Sequence, residues 1–346
     1  MINLYRQWCR LFEIHGGRTF INSIWVTAYR DLSAIAVQVN NNYTGYMPHK
    51  SVEKTNHDGL QLYADTKRMH NLFAHIDEIA DEIKEAIEKE LDKQQVDHIV
   101  SLLVRSLEHY RWTEFFYTDK AYASKDKEIQ HNMLHFGKLK YKARETLNRI
   151  YFGKDAYIQI FLKKLAPNIP MTDLFQYRPD ELAMLLDKQQ LDETILRQRD
   201  QMIVLWYQNE LQTIQGDDAH PIVAHFDTKT DAKELKGAVA NRGRAKGVAK
   251  ILLPDFDNFH RLEQIMQKMN QGDILIAETT SPELTPAIKK AAAIVTNQGG
   301  MMSHAAVVAR ELNIPCIVAT EHATSVFNDG DIVQVDAING IVKKVE

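Results

Sequence analysis

Cysteine is nearly missing from this chain: Cys9 and Cys316 are the two among 346 residues. That excludes a disulfide framework and a cysteine-ligated metal site. No apolar run approaches the roughly 18 residues that a membrane-spanning helix needs, and Met1 to Gly17 lacks the apolar core of a secretory signal. A large charge of one sign is missing as well. The formal net charge is −4, and no basic stripe with interleaved aromatics runs through the sequence, so a general attraction to nucleic acid is excluded. No nucleotide-binding glycine-rich loop precedes a helix, and Gly16-Gly17 is too little to make one. There is no internal repeat and no low-complexity tract. What remains is 45% hydrophobic and 25% charged, an ordinary composition for a soluble globular protein, with the cytoplasm as the expected location. The length leaves room for two or three domains.

Residues 18–48 contain alternating, β-branched stretches, Thr19 to Val26 and Ala34 to Val39, with turn chemistry at Asn40-Asn41-Asn42 and Gly45. This pattern predicts a small β element. From about Leu60 to Gln215 the period turns helical. Ile76, Ile79, Ile83 and Ile87 recur at helix spacing, and Ile99, Leu102, Leu103, Leu107 and Tyr110 continue the theme. Pro179 with Asp180 and Glu181 marks another helix start, and a further helix is predicted over Asp192 to Ile214. After His225 short strands alternate with a few helices, which is an α/β pattern. The polar, aperiodic stretch near 222–234 is the expected linker between a mainly helical region, 1–221, and a C-terminal domain, 235–346.

The densest chemistry lies in Thr296 to Cys316, T-N-Q-G-G-M-M-S-H-A-A-V-V-A-R-E-L-N-I-P-C. Gly299 and Gly300 make a flexible loop. Ser303 offers an N-cap oxygen, and an Ala/Val helix follows until Asn313-Ile314-Pro315 stops it. His304 is then the first helical residue. A helix start carries unpaired N–H groups and about half a positive charge, which would hold a phosphate placed on that imidazole. A neutral imidazole, with an ordinary pKa of about 6.5, is a competent phosphoryl acceptor near neutral pH. Phosphoryl transfer asks the protein mainly for position and charge stabilisation. Ser303 either caps the helix or also hydrogen-bonds the phosphate. Thr296 either contacts phosphate or is a satisfied strand end. Arg310, at i+6, lies about 240° around the helix from His304, which suits an ion pair elsewhere better than a phosphate contact. His70 and His75 flank Phe73, and His131 and His135 are four apart. Such pairs can bind metal, but no third ligand is evident, so no metal site is assigned.

The segment Gly299 to Arg310 resembles the phosphohistidine segment of the phosphoenolpyruvate-utilising enzymes, a family that includes pyruvate phosphate dikinases, phosphoenolpyruvate synthases and rifampin phosphotransferases. Gly272 to Ala277 looks like the strand that opens the family's core, and Glu278 to Glu283 looks like its threonine/serine-proline loop. Asn328 to Asp336 and Gly340 to Val342 look like its closing strands. The likeness covers roughly 233–346. More faintly, Tyr110 to Tyr117 and Leu174 to Leu182 resemble segments found upstream of that domain. The resemblance implies an α+β multidomain chain, in which a mainly helical region with a small β element precedes a C-terminal β/α swivelling phosphohistidine domain. It implies that His304 carries a phosphoryl group, supported by Gly299, Gly300, Ser303 and Thr296. Thr280 and Ser281 on the neighbouring loop would either assist the phosphate or simply form the turn. Met302 departs from the dikinases, which carry a threonine there whose phosphorylation regulates the plant enzymes; that control is not expected here.

The family also needs an ATP-grasp domain to phosphorylate the histidine, and the dikinases and synthases need a barrel for phosphoenolpyruvate and its metal. Too little sequence is left for either. The resemblance therefore implies an incomplete phosphotransferase, dikinase-like in its chemistry. Mg and ATP or phosphoenolpyruvate would be held by a separate ATP-grasp or phosphoenolpyruvate-binding protein, and a small-molecule acceptor would take the phosphate. By analogy with the drug phosphotransferases, the helical region would bind the acceptor or dock the donor. The alternatives are a noncatalytic binding or regulatory module that keeps the fold, and a fragment of a larger phosphoenolpyruvate synthase-like enzyme. The purified chain alone is expected to hydrolyse no ATP. Robust ATPase activity in a pure sample would reveal a nucleotide domain within residues 1–110.

Overall fold

A computed structural model describes residues 8–15, 18–40, 42–152, 155–226, 233–253, 261–280, 284–301 and 303–345. It is a mixed helix-and-sheet chain of two compact units: the first takes the residues up to Phe226 except Leu11–His15, and the second takes Leu11–His15 with the residues after Phe226.

The strands before Phe226 form a five-stranded sheet. Trp8–His15 (β1), Ile35–Val39 (β2), Asn42–Pro48 (β3), Met202–Gln208 (β4) and Glu210–Gln215 (β5) lie in the order β1-β3-β2-β4-β5. The central strand β2 pairs antiparallel with both β3 and β4, although β4 lies more than 160 residues away in the chain. The hairpin β4–β5 turns at Asn209, which takes φ +64°, a conformation asparagine tolerates better than most residues. Two expectations are overturned here. Thr19–Ala28 is a helix (α1), and the helix expected over 192–214 stops at Gln201, giving way to β4 and β5. All but one residue of α1 is buried, so it has no polar face and its apolar run shows no helical period. Ser23 and Thr27 return their hydroxyls to the carbonyls of Thr19 and Ser23, satisfying polar side chains inside the core.

The helical part runs through His49–Tyr63 (α2), Thr66–Glu88 (α3), Lys93–Tyr110 (α4), Phe115–Tyr122 (α5), Lys127–Tyr151 (α6), Tyr157–Leu165 (α7), Met171–Leu174 (α8), Glu193–Gln201 (α9) and His220–Phe226 (α10). Asp65, Asp92 and Asp126 cap α3, α4 and α6 through backbone N–H groups. The buried stripe of α3 includes Met69, Phe73, Ile76, Ala80, Ile83 and Ile87, the spacing that the sequence announces. Gly59 lets α2 lie against α5, since a Cβ there would meet the Tyr117 carbonyl oxygen at 1.9 Å. Helix α10 corrects the start of the expected linker. Residues 222–226 are helical, and Val223 and Phe226 are buried against the sheet with Ile35, Tyr46 and Val204.

A buried ion pair ties α9 to the 3-10 helix Pro179–Asp187. The Arg199 guanidinium donates to both Glu181 carboxylate oxygens at 2.6 and 2.7 Å, and also to Gln215 and the Gln176 carbonyl. Burial pushes the Glu181 carboxyl up, but Arg199 and the Arg178 backbone N–H outweigh it and hold the group below the usual range. Arg199→Met strands a buried carboxylate and is expected to cost about 3–5 kcal/mol in denaturant unfolding. A depressed folded-state pKa stabilises above the ordinary glutamate value and loses that stabilisation as pH falls through the lowered one. The parent should therefore lose stability in that acid window, and Arg199→Met should lose less.

The second unit is an eight-stranded sheet. Its strands are Glu234–Lys236 (β6), Ala238–Asn241 (β7), Arg244–Leu252 (β8), Ile274–Ala277 (β9), Ala293–Thr296 (β10), Cys316–Val318 (β11), Ile332–Asp336 (β12) and Ile341–Lys344 (β13). Their order is β6-β13-β12-β8-β9-β10-β11-β7. The run β8-β9-β10-β11 is parallel, and the flanking pairs are antiparallel. Every residue of β9 and β10 is buried, as expected for parallel strands covered on both faces. Leu275, Ala277 and Ile294 face one core; Ile274, Ile276, Ala293 and Val295 face the other. Helices Arg261–Lys268 (α11), Thr285–Ile288 (α12), His304–Glu311 (α13) and Ala323–Val326 (α14) occupy the crossovers. Cys316 is fully buried in β11, and burial pushes its thiol up to about 12.

Helix α13 begins and ends where its sequence says. Ser303 is the N-cap, its hydroxyl accepting from the Ala306 N–H. Asn313, at φ +53°, ends the helix, and the Ile314 N–H turns back to the Ala309 carbonyl. Ala305, Ala306 and Ala309 seat the helix on the core with side chains small enough for close approach. Ser303→Ala should cost about 1 kcal/mol of stability by removing the cap, measured by denaturant unfolding.

Candidate functional site

The C-terminal ends of β9 and β10 lie side by side, with Thr296 in register with Ala277. The loops that leave them therefore start together. One loop carries Thr280 and the other leads to His304. The Thr280 hydroxyl Oγ1 lies 3.0 Å from His304 Nδ1. It can donate to that nitrogen or accept from it, according to the imidazole tautomer. His304 is half-buried at the head of α13, and its neighbours Ala305 and Ala306 are fully packed.

Gly299 and Gly300 shape the loop. Gly299 takes φ +108°, and a Cβ there would press on the Ser303 side chain at 3.0 Å, so position 299 requires glycine twice over. The Gly300 carbonyl accepts from the Ser303 N–H, closing the turn into the helix. Arg310 does not fit the expectation of an ion pair: it reaches back to donate to the Met301 carbonyl at 2.8 Å, tying the loop to the helix. Met301 itself is half exposed.

Thr296 is the satisfied strand end of the two readings. It is fully buried, its hydroxyl donates to the Gln298 carbonyl, and its own carbonyl accepts from the Thr320 N–H and hydroxyl. Its hydroxyl is turned to its own loop rather than to His304. Thr280 goes the other way, since its hydroxyl meets the histidine rather than merely forming a turn. Ser281 and Met302 lie outside the described residues.

Two residues of this region escaped the sequence reading. Glu278 follows β9 directly and is buried, and Thr324 is the second residue of α14; both hydrogen-bond the buried Asn297 side chain. The one signal was a charged residue directly after a wholly apolar strand, which requires a partner if it is buried. The histidine pairs carry less. His131 and His135 stand edge to face on α6 with ring centres 4.9 Å apart. Among the described residues no group of three or more His, Cys, Asp or Glu is placed to hold a metal ion, and no helix is long and apolar enough to cross a membrane.

Residues 269–340 match the family described as PEP-utilising enzyme, mobile domain. The phosphoenolpyruvate synthase of Pyrococcus furiosus is 51% identical over 110 residues, which are 32% of this chain and 12% of that protein. The probable phosphoenolpyruvate synthase of Archaeoglobus fulgidus is 45% identical over 108 residues, 31% of this chain and 13% of the relative. A probable phosphoenolpyruvate synthase of Pyrococcus abyssi is 33% identical over 179 residues, 47% of this chain and 21% of the relative. That last match is longer than the C-terminal unit. The chain thus corresponds to a minor part of each relative's length. The glycine loop, the serine cap and the histidine that opens the alanine-seated helix all lie within residues 269–340, the segment that matches the mobile domain of the PEP-utilising enzymes.

Proposed function

We propose that the C-terminal unit is a phosphohistidine carrier, with His304 as the residue that takes and passes on the phosphoryl group. The observation that carries this reading is the Thr280–His304 contact at the mouth of the glycine loop. Which imidazole nitrogen bears the proton is set by the hydrogen bond the other side of the ring makes. In the competent tautomer Nδ1–H donates to the Thr280 hydroxyl oxygen, and the lone pair sits on Nε2. Nε2 attacks the phosphorus of the donor, a nitrogen–phosphorus bond forms, and the phosphorus–oxygen bond to the leaving group breaks with its electron pair on oxygen. Nδ1 keeps its proton throughout, so the Thr280 bond supports the phosphorylated ring as well. In the second step the acceptor hydroxyl gives its proton to solvent, its oxygen attacks the same phosphorus, and the nitrogen–phosphorus bond breaks with its electron pair returning to Nε2.

The donor is ATP or phosphoenolpyruvate bound with Mg on a separate ATP-grasp or phosphoenolpyruvate-binding protein, and the acceptor is a small molecule. The relatives' name supports phosphoenolpyruvate chemistry at one end of the cycle. The C-terminal unit would swivel between donor and acceptor through the segment that joins it to the helical unit, a domain motion of known type. The helical unit would bind the acceptor or dock the donor protein. The cytoplasm is the proposed location.

The test is labelling. Incubated with the donor protein and phosphoryl-labelled ATP or phosphoenolpyruvate, the chain should gain one acid-labile phosphate, on His304. His304→Ala should abolish labelling and leave the circular dichroism spectrum unchanged. Thr280→Val, which removes the hydroxyl and keeps the shape, should slow labelling by roughly 10–100-fold, the scale on which losing one oriented hydrogen bond acts. If His304→Ala labels as well as the parent, the carrier reading is wrong and a noncatalytic binding module takes its place.

A further inference from the structure

Asn297 follows β10 directly and is fully buried, and its side-chain amide is committed to three hydrogen bonds. Nδ2 donates to Glu278 Oε2 at 2.7 Å and to Thr324 Oγ1 at 2.6 Å, while Oδ1 accepts from the Thr324 N–H at 3.1 Å. The backbone adds more. The Asn297 N–H donates to the Ala277 carbonyl, the Gln298 N–H to the Glu278 carbonyl, and the Asn297 carbonyl accepts from the Glu321 N–H. The segments after β9, β10 and β11 are thereby locked together, the first two at one residue beyond their strands and the third at Glu321 and Thr324. Glu278 stands two residues before Thr280, and Asn297 stands two residues before Gly299. A buried carboxylate and amide contribute little to stability compared with an apolar pair of the same volume. What they supply is a fixed donor–acceptor register.

We infer that Glu278 and Asn297 are positioning residues for the Thr280–His304 pair, a role that rests on the carrier reading of His304. They hold the threonine loop and the glycine loop at the separation where the Thr280 hydroxyl meets Nδ1; with the hydroxyl accepting from Nδ1–H at that contact, the lone pair is left on Nε2. Misplacement by about 1 Å costs on the order of a hundredfold in a positioned reaction, so a polar lock is warranted at this point.

The polarity of the lock is what the experiment reads. Asn297→Asp places a second acceptor against the Glu278 carboxylate and removes both donated bonds. Glu278→Gln combined with Asn297→Asp reverses the pair: the amide introduced at position 278 can donate to the new carboxylate, and the Thr324 hydroxyl and N–H can donate to it too. The His304 tautomer is measured in the full-length parent, the single variant and the double variant by nitrogen-15 NMR of the imidazole, with no donor present. The parent should show the Nδ1–H form, Asn297→Asp should lose that bias, and the double variant should regain it. Labelling rates, read separately with the donor system, should fall and recover in step. A folded Asn297→Asp that keeps the parent tautomer overturns the inference. Should Asn297→Asp not fold, the double variant decides, and its failure either to fold or to recover the parent tautomer overturns the inference equally. If the parent itself never labels, the carrier reading fails while the tautomer result stands on its own.

Discussion

The parallel pairing of Ile274–Ala277 with Ala293–Thr296 sets the position of everything at the site. The strands are four residues each, and neither Thr280 nor His304 lies within them. Yet their register decides where both loops begin. Because these strands pack on both faces, a slip by one residue would send Ile294 into the core that now holds Val295 and would carry Asn297 away from Glu278. The two apolar cores thus enforce, at a distance of several residues, a contact between one hydroxyl and one imidazole nitrogen.

The helix that presents His304 is held just as firmly. Its alanines bury against Ile294, Cys316 and Val318, its cap is fixed by Ser303, and its outer side returns through Arg310 to the loop it came from. Reactive groups carried on rigid elements keep their geometry better than those on free loops. Here the glycines supply the turn, and the helix supplies the precision. The polar residues nearest the histidine fall into two sets. Glu278 and Thr324 bond the Asn297 side chain and Thr296 bonds Gln298 and Thr320 inside the fold, whereas Thr280 is turned toward the imidazole.

Much of the second unit was legible in the sequence. The buried strands are bounded by Gly, Asn and Pro, and the cap, helix and stop around His304 follow one another in residues that each favour their place. The Thr280–His304 meeting was not legible. Its partners lie 24 residues apart on different loops, and no local pattern records which hydroxyl faces which ring. In the first unit the amphipathic helices α3 and α4 stood out because half their surface meets water. Helix α1 hid because water touches almost none of it, so a continuous apolar run looked like a strand. Strands β4 and β5 were lost for another reason: Ile203, Val204 and Leu205 pair with β2 across most of the unit, and long-range pairing leaves no mark in the local period.

The thiol of Cys316 offers a use of its own. It sits at 0% exposure between β10 and β7, with its ionisation suppressed, so no alkylating reagent can reach a thiolate there while the sheet is intact. Its modification rate is therefore a clock for the opening of one strand in one unit. Cys9, half-buried in β1, lies in the five-stranded sheet and would report on the opening of that strand. Two thiols in the whole chain thus allow the opening of one strand in each sheet to be timed without adding a probe to either.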